Sequence, residues 1–200
     1  MRWRTRATLL LLTSDASPPS CVIANAGISE NVLGLDRSDI AVATRALFST
    51  NVDGVFNTIL PLVAPMKGRR AGCIVIMSSL CSQGPLPGAV AYSATKVAVR
   101  TYGEALRGLL HRDGVRVSVI CPGYVESEMT KANDSKDNVD MMSMERAVAI
   151  IAAGIASDTA VISFPSTIHT YFWAVARVLP PPLLHALSRR QLVPFFNHEG

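Results

Sequence analysis

The feature that most constrains the fold of this chain is an unbroken apolar run, Gly-Cys-Ile-Val-Ile-Met, at residues 72–77. A strand with one face in water alternates apolar and polar residues, and this run shows no such alternation. It is instead typical of a strand covered on both faces, as strands of a parallel sheet between layers of helices are. The run therefore predicts a fold of the α/β class.

Further strand and helix patterns follow one another along the chain in the order that such a sheet needs. We predict strands at residues 21–25, 72–77, 115–120 and 160–162, and helices at 39–66, 91–111 and 144–156. This alternation implies right-handed crossovers and a doubly wound parallel sheet. Ligands of such sheets bind beyond the carboxyl ends of the strands, so we expect the functional residues at those ends.

Composition and charge exclude several other classes of protein. The 200 residues are 49% hydrophobic and 17% charged, which supplies one buried core and excludes a disordered chain or a disulfide framework. The formal net charge of +4 comes from scattered Lys and Arg residues, so we expect no nucleic-acid partner. The four cysteines form no C-x-x-C pair and have no nearby histidine at ligand spacing. We therefore expect no metal site and a reducing, cytoplasmic location.

The strongest chemical pattern consists of Ser79, Tyr92 and Lys96. Tyr92 and Lys96 stand four residues apart at the start of a predicted helix, so both project from one face of it. Ser79 closes the preceding strand, thirteen residues before the tyrosine. An ammonium group one turn away is expected to lower the pKa of the phenol. Tyr92 would then exchange a proton with a hydroxyl or carbonyl oxygen that the Ser79 hydroxyl holds in place.

Tyrosine and lysine at this spacing are more often an ordinary exposed pair, and the order of the surrounding segments is what favours a functional role. That order is an apolar strand, Ser-Ser, a loop with Gly and Pro, Tyr-Ser-Ala-Thr-Lys, a helix, a strand and Pro-Gly. It resembles the short-chain dehydrogenase/reductase family, closely over residues 21–130 and loosely over 131–165. The resemblance implies a NAD(P)-dependent oxidoreductase that interconverts a carbonyl and a secondary alcohol by hydride transfer.

The resemblance also implies a Rossmann-like sheet, with strands equivalent to the fourth to seventh of the family, and roles for particular residues. Asn51, Ser79, Tyr92 and Lys96 would be catalytic, and Asn51 would kink its helix and hold a water that links the lysine to solvent. Ser78 is the competing serine, and the spacing to the tyrosine favours Ser79.

Residues that would contact NAD or NADP follow from the same resemblance. They are Asn25, Ala26 and Gly27 after the first predicted strand, Tyr92 and Lys96, and Pro122, Gly123, Val125 and Ser127 after the third. The backbone of Val125 would bond the nicotinamide carboxamide, while Gly123 has the alternative of a simple turn glycine. The choice between NAD and NADP is not readable, because the residue that decides it normally ends a strand with no counterpart here.

The family's glycine-rich phosphate-binding turn has no counterpart before Cys21, since the first glycine of the chain is Gly27. We therefore expect a truncated product, a misplaced start or a splice form, with residues 1–20 as an atypical leader and 21–165 as a partial Rossmann-like catalytic domain. A secretory signal is the less favoured interpretation of that leader. The alternative function is a non-catalytic fragment that acts only as an oligomerisation partner.

Helices 39–66 and 91–111 form the dimer interface in the family, so the resemblance implies a homo-oligomer built on them. The expected substrate is a small carbonyl compound or alcohol. The family places a mobile lid at residues 126–144, and the methionines of this segment would suit an apolar substrate. A loosely ordered loop whose methionines begin the next helix is favoured over that role. We expect residues 166–200 to be an apolar helical extension, with a core or dimer contact favoured over peripheral membrane contact or a cover for the substrate pocket.

Overall fold

The computed structural model describes residues 19–30, 39–84, 89–127 and 141–165, together with Thr130, Pro180 and residues 182–183. Three predicted segments lie wholly or mostly outside these ranges: the leader, the centre of the methionine-containing segment and the C-terminal extension. Within the described part of the chain, no helix is long and apolar enough to cross a membrane.

The core of the fold is a parallel sheet of four strands in the order β1-β2-β3-β4. The strands are β1 (Cys21–Ala24), β2 (Gly72–Met77), β3 (Val115–Pro122) and β4 (Val161–Phe164). β1 and β4 form the two edges of the described sheet, and Ile23 on β1 is 51% exposed. The prediction of an α/β fold with a parallel sheet is confirmed, with strand ends displaced by at most two residues.

The helices lie close to their predicted positions, with one internal difference. They are α1 (Ile40–Phe48), α2 (Gly54–Gly68), α3 (Val90–Leu110) and α4 (Met144–Ala156). A π-helical segment, Ser49–Asp53, joins α1 to α2, so that the predicted helix 39–66 is one helical stretch with a wider turn inside it. Single 3₁₀ turns follow β2 at Leu80–Gln83 and α3 at His111–Asp113.

The side chains of β2 explain why its sequence is apolar throughout. Ile74 and Ile76 pack into a core formed with α2 and α3, whereas Cys73 and Val75 face a second core formed with α4. Successive side chains of a strand point to opposite faces, and here both faces are covered by helices. The sheet is therefore doubly wound, as its sequence pattern predicts.

Helix α3 lies unusually close to the sheet because Gly103 faces it. A Cβ atom at Gly103 would stand 2.5 Å from Val119 Cγ2 and 3.1 Å from Ile76 Cδ1. The connection from α3 to β3 ends at Gly114, whose φ of 72° is a left-handed conformation that glycine adopts without strain. This seating fixes the position of α3, and with it the position of Tyr92 and Lys96 in its first turns.

Candidate active site

The candidate site lies where the carboxyl ends of the parallel strands meet one edge of the sheet. Residues 25–27 follow β1, Ser78 and Ser79 follow β2, and Gly123 follows β3. The first turns of α3 lie at the same edge, because this helix packs against the 3₁₀ turn that comes directly after Ser79. The fold therefore brings together the strand ends at which the sequence predicts functional residues.

The two neighbouring serines have different partners. The buried Ser78 hydroxyl donates a hydrogen bond to the carbonyl oxygen of Lys96 at 2.8 Å, so it fastens the backbone of α3 to the end of β2. Ser79 has an extended backbone, and its Oγ accepts a hydrogen bond from the Cys81 amide at 3.2 Å. The Ser79 side chain also interacts with the Tyr92 phenol. Ser79 is thus the serine that faces the tyrosine.

Tyr92 and Lys96 lie together beneath the edge of the sheet. The Lys96 Nζ atom is 5.5 Å from the centroid of the Tyr92 ring and donates a hydrogen bond to the carbonyl oxygen of Met77 at 3.0 Å. Lys96 is only 3% exposed. The amine is therefore held between the aromatic ring and the end of β2, within reach of few water molecules.

Burial sets the protonation of both groups, and for Tyr92 it overturns the expected direction. Loss of solvent around the phenol raises the pKa of Tyr92 above its ordinary value. The neighbouring Cys81 and the Glu30 carboxylate act in the same direction, and the Ser79 side chain opposes them. The prediction that the neighbouring amine lowers this pKa is wrong for the protein alone, because desolvation of the anion is the larger effect. Burial likewise lowers the pKa of Lys96 to about 8.

Asn51 is the residue around which the π-helical segment is organised. Its Oδ1 accepts a hydrogen bond from the Ile28 amide at 2.8 Å, and its Nδ2 donates to the Ile28 carbonyl at 2.9 Å. The same Nδ2 lies 3.1 Å from Thr95 Oγ1, which in turn donates to the carbonyl oxygen of Tyr92. The fully buried amide thus ties the loop after β1 to helix α3.

Gly27 marks the point at which that loop passes the lysine. A Cβ atom at this position would stand 3.3 Å from Lys96 Nζ and 3.5 Å from Asn51 Oδ1. A side chain here would crowd the lysine amine, so the absence of one keeps the space beside Lys96 and Asn51 open. Asn25 and Ala26, directly beyond β1, are exposed.

The segment after β3 is held close to the end of β4. The Gly123 amide donates a hydrogen bond to the Phe164 carbonyl at 2.7 Å. A Cβ atom at Gly123 would stand 3.1 Å from Pro165 Cδ and 3.2 Å from Leu80 Cδ1. Close packing therefore disfavours a side chain at Gly123. Pro122 is the last residue of β3 and is partly buried.

Val125 and Ser127 lie in a loop that a threonine closes. Val125 forms an isolated parallel bridge with Met142. The Thr130 hydroxyl donates to the Val125 carbonyl at 2.8 Å and accepts from the Ser127 amide at 2.8 Å. The backbone of this segment is thus shaped by local hydroxyl contacts.

Sequence patterns alone missed three residues that shape the site: Glu30, Thr95 and Thr130. The Glu30 carboxylate accepts hydrogen bonds from the amides of Ala91 and Tyr92, both at 3.0 Å. Ala89 is the sequence signal that could have indicated such a contact. Alanine is a poor N-cap and the first turn of α3 contains no acidic residue, so the amides of this turn need an acceptor from elsewhere. Among the described residues, no cluster of three or more His, Cys, Asp and Glu side chains could hold a metal ion.

Comparison with known proteins identifies sequence relatives of this site and its fold. A family model described as short chain dehydrogenase matches residues 16–138. An uncharacterized oxidoreductase of Myxococcus xanthus is 35% identical over 181 residues, which cover 90% of this chain and 69% of that protein. The 3-oxoacyl-[acyl-carrier-protein] reductase FabG of Chlamydia trachomatis is 28% identical over 145 residues, 68% of this chain and 58% of the relative. The chain therefore spans only part of the length of the curated relatives it matches.

A solved structure supports the same assignment of fold. The crystal structure of a short chain dehydrogenase from Burkholderia cenocepacia in complex with NADP superposes with a TM-score of 0.68. The match covers 86% of this chain and 70% of the other at 23% identity. At that identity the likeness concerns the fold alone.

Proposed function

The chain belongs to the short-chain dehydrogenase family, and on that premise we propose that it is a NAD(P)-dependent oxidoreductase that interconverts a carbonyl and a secondary alcohol. The observation that carries this proposal is the grouping of Ser79, Tyr92 and Lys96 at the carboxyl edge of the sheet. The phenol interacts with the serine side chain, and the amine lies 5.5 Å from the aromatic ring.

In the proposed reaction Tyr92 handles the proton. When a carbonyl is reduced, the Tyr92 hydroxyl donates its proton to the substrate oxygen as a hydride reaches the carbon. The Ser79 hydroxyl donates a hydrogen bond to the same oxygen and fixes it beside the phenol. In the oxidation direction the phenolate takes the proton back from the alcohol.

Without a bound cofactor, the raised pKa of Tyr92 suits the phenol to act as a general acid and disfavours its action as a general base. The substrate oxygen becomes negative as the carbonyl is reduced. A phenol that keeps its proton at neutral pH can donate that proton to the oxygen. For alcohol oxidation the phenolate must be stabilised, and positive charge in the site favours that form. We propose that Lys96 supplies such charge on one side of the ring.

Lys96 and Asn51 are the proposed route by which the proton of Tyr92 is replaced. With its pKa lowered to about 8, the amine can gain and lose a proton near neutral pH. Gly27 leaves the space between this amine and the Asn51 amide free of a side chain. A water in that space would connect Lys96 to the loop after β1 and so to solvent.

The residues present fit the nicotinamide end of a dinucleotide. Gly27 leaves room beside Lys96 Nζ, and Gly123 brings the backbone after β3 close to the end of β4. Lys96 and Tyr92 would contact the ribose, Asn25, Ala26 and Gly27 the adenosine-ribose side, and Pro122, Gly123, Val125 and Ser127 the nicotinamide. A bound nicotinamide cofactor supplies or accepts the hydride. The proposed cofactor is NAD or NADP.

The proposed substrate is a small carbonyl compound or the corresponding alcohol. FabG of C. trachomatis is by name a 3-oxoacyl-[acyl-carrier-protein] reductase, which supports testing 3-oxoacyl thioesters first. The partly buried apolar side chains of Val125 and Met142 lie where the segment after β3 pairs with the segment before α4, and they support an apolar substituent on the substrate.

The proposal is tested by following oxidation of NADPH and NADH with a panel of ketones and 3-oxoacyl thioesters. Tyr92→Phe removes one hydroxyl and is expected to abolish turnover, since no other described group replaces its proton. Tyr102→Phe is the matched control, because Tyr102 lies on the same helix and packs against Phe56 with ring centroids 4.7 Å apart. Equal turnover in wild type and Tyr92→Phe contradicts the assignment. Failure of the wild type to bind either cofactor in a fluorescence titration contradicts the proposed function of this chain.

We also propose that copies of the chain associate through the helical layer on one side of the sheet. Exposed apolar side chains occur on each of its helices: Ile40 and Val42 on α1, Leu60 on α2, and Val97 and Leu109 on α3. Several such side chains on one layer favour burial against a second copy.

A further inference from the structure

We propose that Glu30 is a positioning residue for the proposed proton donor, because its carboxylate caps the first turn of α3 at Tyr92 itself. This inference rests on the proposed function, in which Tyr92 handles the proton. It concerns a residue of the loop after β1, sixty-two positions before the tyrosine whose amide it binds.

The first turn of α3 lacks the means to satisfy its own amides. A helix leaves its first amide groups without partners inside the helix, and a side chain at the N-cap usually accepts from them. The N-cap of α3 is Ala89, which has no side-chain acceptor, and the first turn contains no acidic residue. The helix therefore depends on an acceptor from elsewhere in the chain.

Glu30 provides that acceptor. A single carboxylate oxygen, Oε1, accepts from the Ala91 amide and from the Tyr92 amide, each at 3.0 Å. Hydrogen bonds to a charged acceptor are stronger than neutral ones, and negative charge at a helix N-terminus is favourable for the helix dipole. Because one oxygen accepts from two successive amides, the carboxylate fixes the position of the backbone that carries the phenol.

The loop that carries Glu30 is itself held on the opposite side. The amide and the carbonyl of Ile28 are both bound by Asn51 from the π-helical segment. Residues 28–30 therefore form a short strap with one end on the π segment and the other on α3. Through Thr95, Asn51 also reaches the Tyr92 carbonyl, so the tyrosine backbone is fixed at its amide and at its carbonyl.

The carboxylate also acts on the phenol through its charge. Among the described residues, the titratable and polar groups that act on the Tyr92 phenol are Ser79 and Cys81 after β2, Lys96 on α3, Glu30, and Tyr124 after β3. Negative charge at Glu30 favours the neutral phenol and so raises the pKa of Tyr92. Removal of that charge shifts the phenol's titration to lower pH, whether the reaction is followed as reduction or as oxidation.

The test compares Glu30→Gln and Glu30→Ala with the wild type. Glutamine keeps an oxygen acceptor for the two amides and loses the charge, whereas alanine loses both. We expect kcat to fall by about tenfold or more in Glu30→Ala and less in Glu30→Gln. Because Glu30 acts through the backbone that carries Tyr92, KM is expected to change by less than about twofold in both variants. Glu104→Gln is the control. Glu104 lies on α3, the helix that Glu30 caps, and its carboxylate pairs with Arg100. We expect neither kcat nor KM to change in this variant.

A second measurement does not depend on turnover. Hydrogen exchange of the Ala91 and Tyr92 amides is expected to accelerate strongly in Glu30→Ala. It is expected to accelerate less in Glu30→Gln, whose neutral oxygen is a weaker acceptor, and this variant serves if the alanine variant does not fold. Unchanged exchange in these variants overturns the cap. A lower melting temperature with unchanged kcat overturns the positioning role and leaves only a structural one. A wild type without any turnover contradicts the proposed function, and with it the catalytic part of this inference, whatever the exchange shows.

Discussion

At Lys96, burial and hydrogen bonding work against each other on a single charged group. The amine donates to the Met77 carbonyl, yet the surrounding protein excludes the water that would otherwise stabilise its charge. Burial wins, and the pKa falls to about 8. An amine in this condition costs the folded state stability as long as it is protonated, and that cost is expected where a site uses the group.

This condition predicts how stability depends on pH. The unfolded chain binds a proton at Lys96 up to a pKa of 10.5, while the folded chain releases it near 8. Between these values the unfolded state holds more protons, so the contribution of Lys96 to the free energy of unfolding increases with pH. It is lost as the pH falls through 8. We expect the stability of the wild type relative to Lys96→Met to rise by up to about 3 kcal/mol across this window.

Urea unfolding of the two proteins at about pH 7 and about pH 10 measures this difference. Taking the difference between variants removes the titration of Tyr92 and Cys73, whose raised pKa values act in the opposite direction. The part of the Cys81 and Cys121 titration that couples to Lys96 belongs to the measured difference. A stability difference that does not vary with pH would mean that the lysine titrates normally.

Single residues also show where sequence reasoning succeeds and where it stops. Ser79, Tyr92 and Lys96 could be predicted because the order of segments around them is distinctive, and the structure places them together. The direction of the tyrosine pKa could not, because it depends on how much water the folded chain leaves around the phenol. Glu30 could not be found either, since its partners are more than sixty residues away and no local pattern joins them.

At the scale of elements, helix α3 is the component on which the candidate site depends most. It carries Tyr92 and Lys96, it is capped from outside by Glu30, and it is seated on the sheet at Gly103. There is no room for a side chain at Gly103, because a Cβ atom there would overlap Val119 on β3.

Two glycines of α3 provide a matched pair of substitutions. Gly103→Ala forces a methyl group against Val119 and Ile76, and we expect it to lower the free energy of unfolding by about 1–3 kcal/mol. Gly108→Ala introduces a better helix former where nothing lies within 4 Å, and we expect a gain of up to about 1 kcal/mol. Denaturant unfolding of both variants checks this. Equal effects at the two positions would show that α3 does not sit on the sheet as described.

The boundaries of elements were largely predictable from periodicity, and the π-helical segment was not. Apolar residues recur at helical spacing across the whole of residues 39–66, so the pattern contains no sign of an interruption. The wider turn is instead stabilised by contacts of Asn51 with Ile28 and Thr95, which only the folded chain brings together. Similarly, β4 extends to Phe164 because its last residues pair with Cys121 and Pro122.

At the scale of the whole molecule, the sheet separates two different helical layers. Helices α2 and α3 pack on one face of the sheet and α4 on the other. Helix α1 joins the first layer by packing against α3. The parallel order of the strands could be predicted from their alternation with helices, because right-handed crossovers leave few other arrangements. Which residues of the helical layers remain exposed could not, since exposure depends on how each helix is rotated about its axis.

Substitutions on the two helical layers are expected to affect self-association differently. If copies of the chain meet through the α1–α3 layer, Leu60→Asp is expected to shift the wild-type dimer towards monomer, because it places a carboxylate in an apolar contact. Val148→Asp is the control: Val148 is 57% exposed but lies on α4, behind the other face of the sheet. Sedimentation velocity measures both. A wild-type monomer, or an equal response of the two variants, contradicts an interface on this layer.

The measurement that tests the central claim most directly is the transfer of deuterium from a labelled nicotinamide cofactor to a ketone. The protein is incubated with cofactor deuterated at the transferable position and with 3-oxoacyl thioesters or simple ketones, and the products are analysed by mass spectrometry. We predict an alcohol with deuterium at the carbinol carbon for the wild type and Tyr102→Phe, and none for Tyr92→Phe. Labelled alcohol in equal amounts from Tyr92→Phe, or from none of the three proteins, would contradict the account.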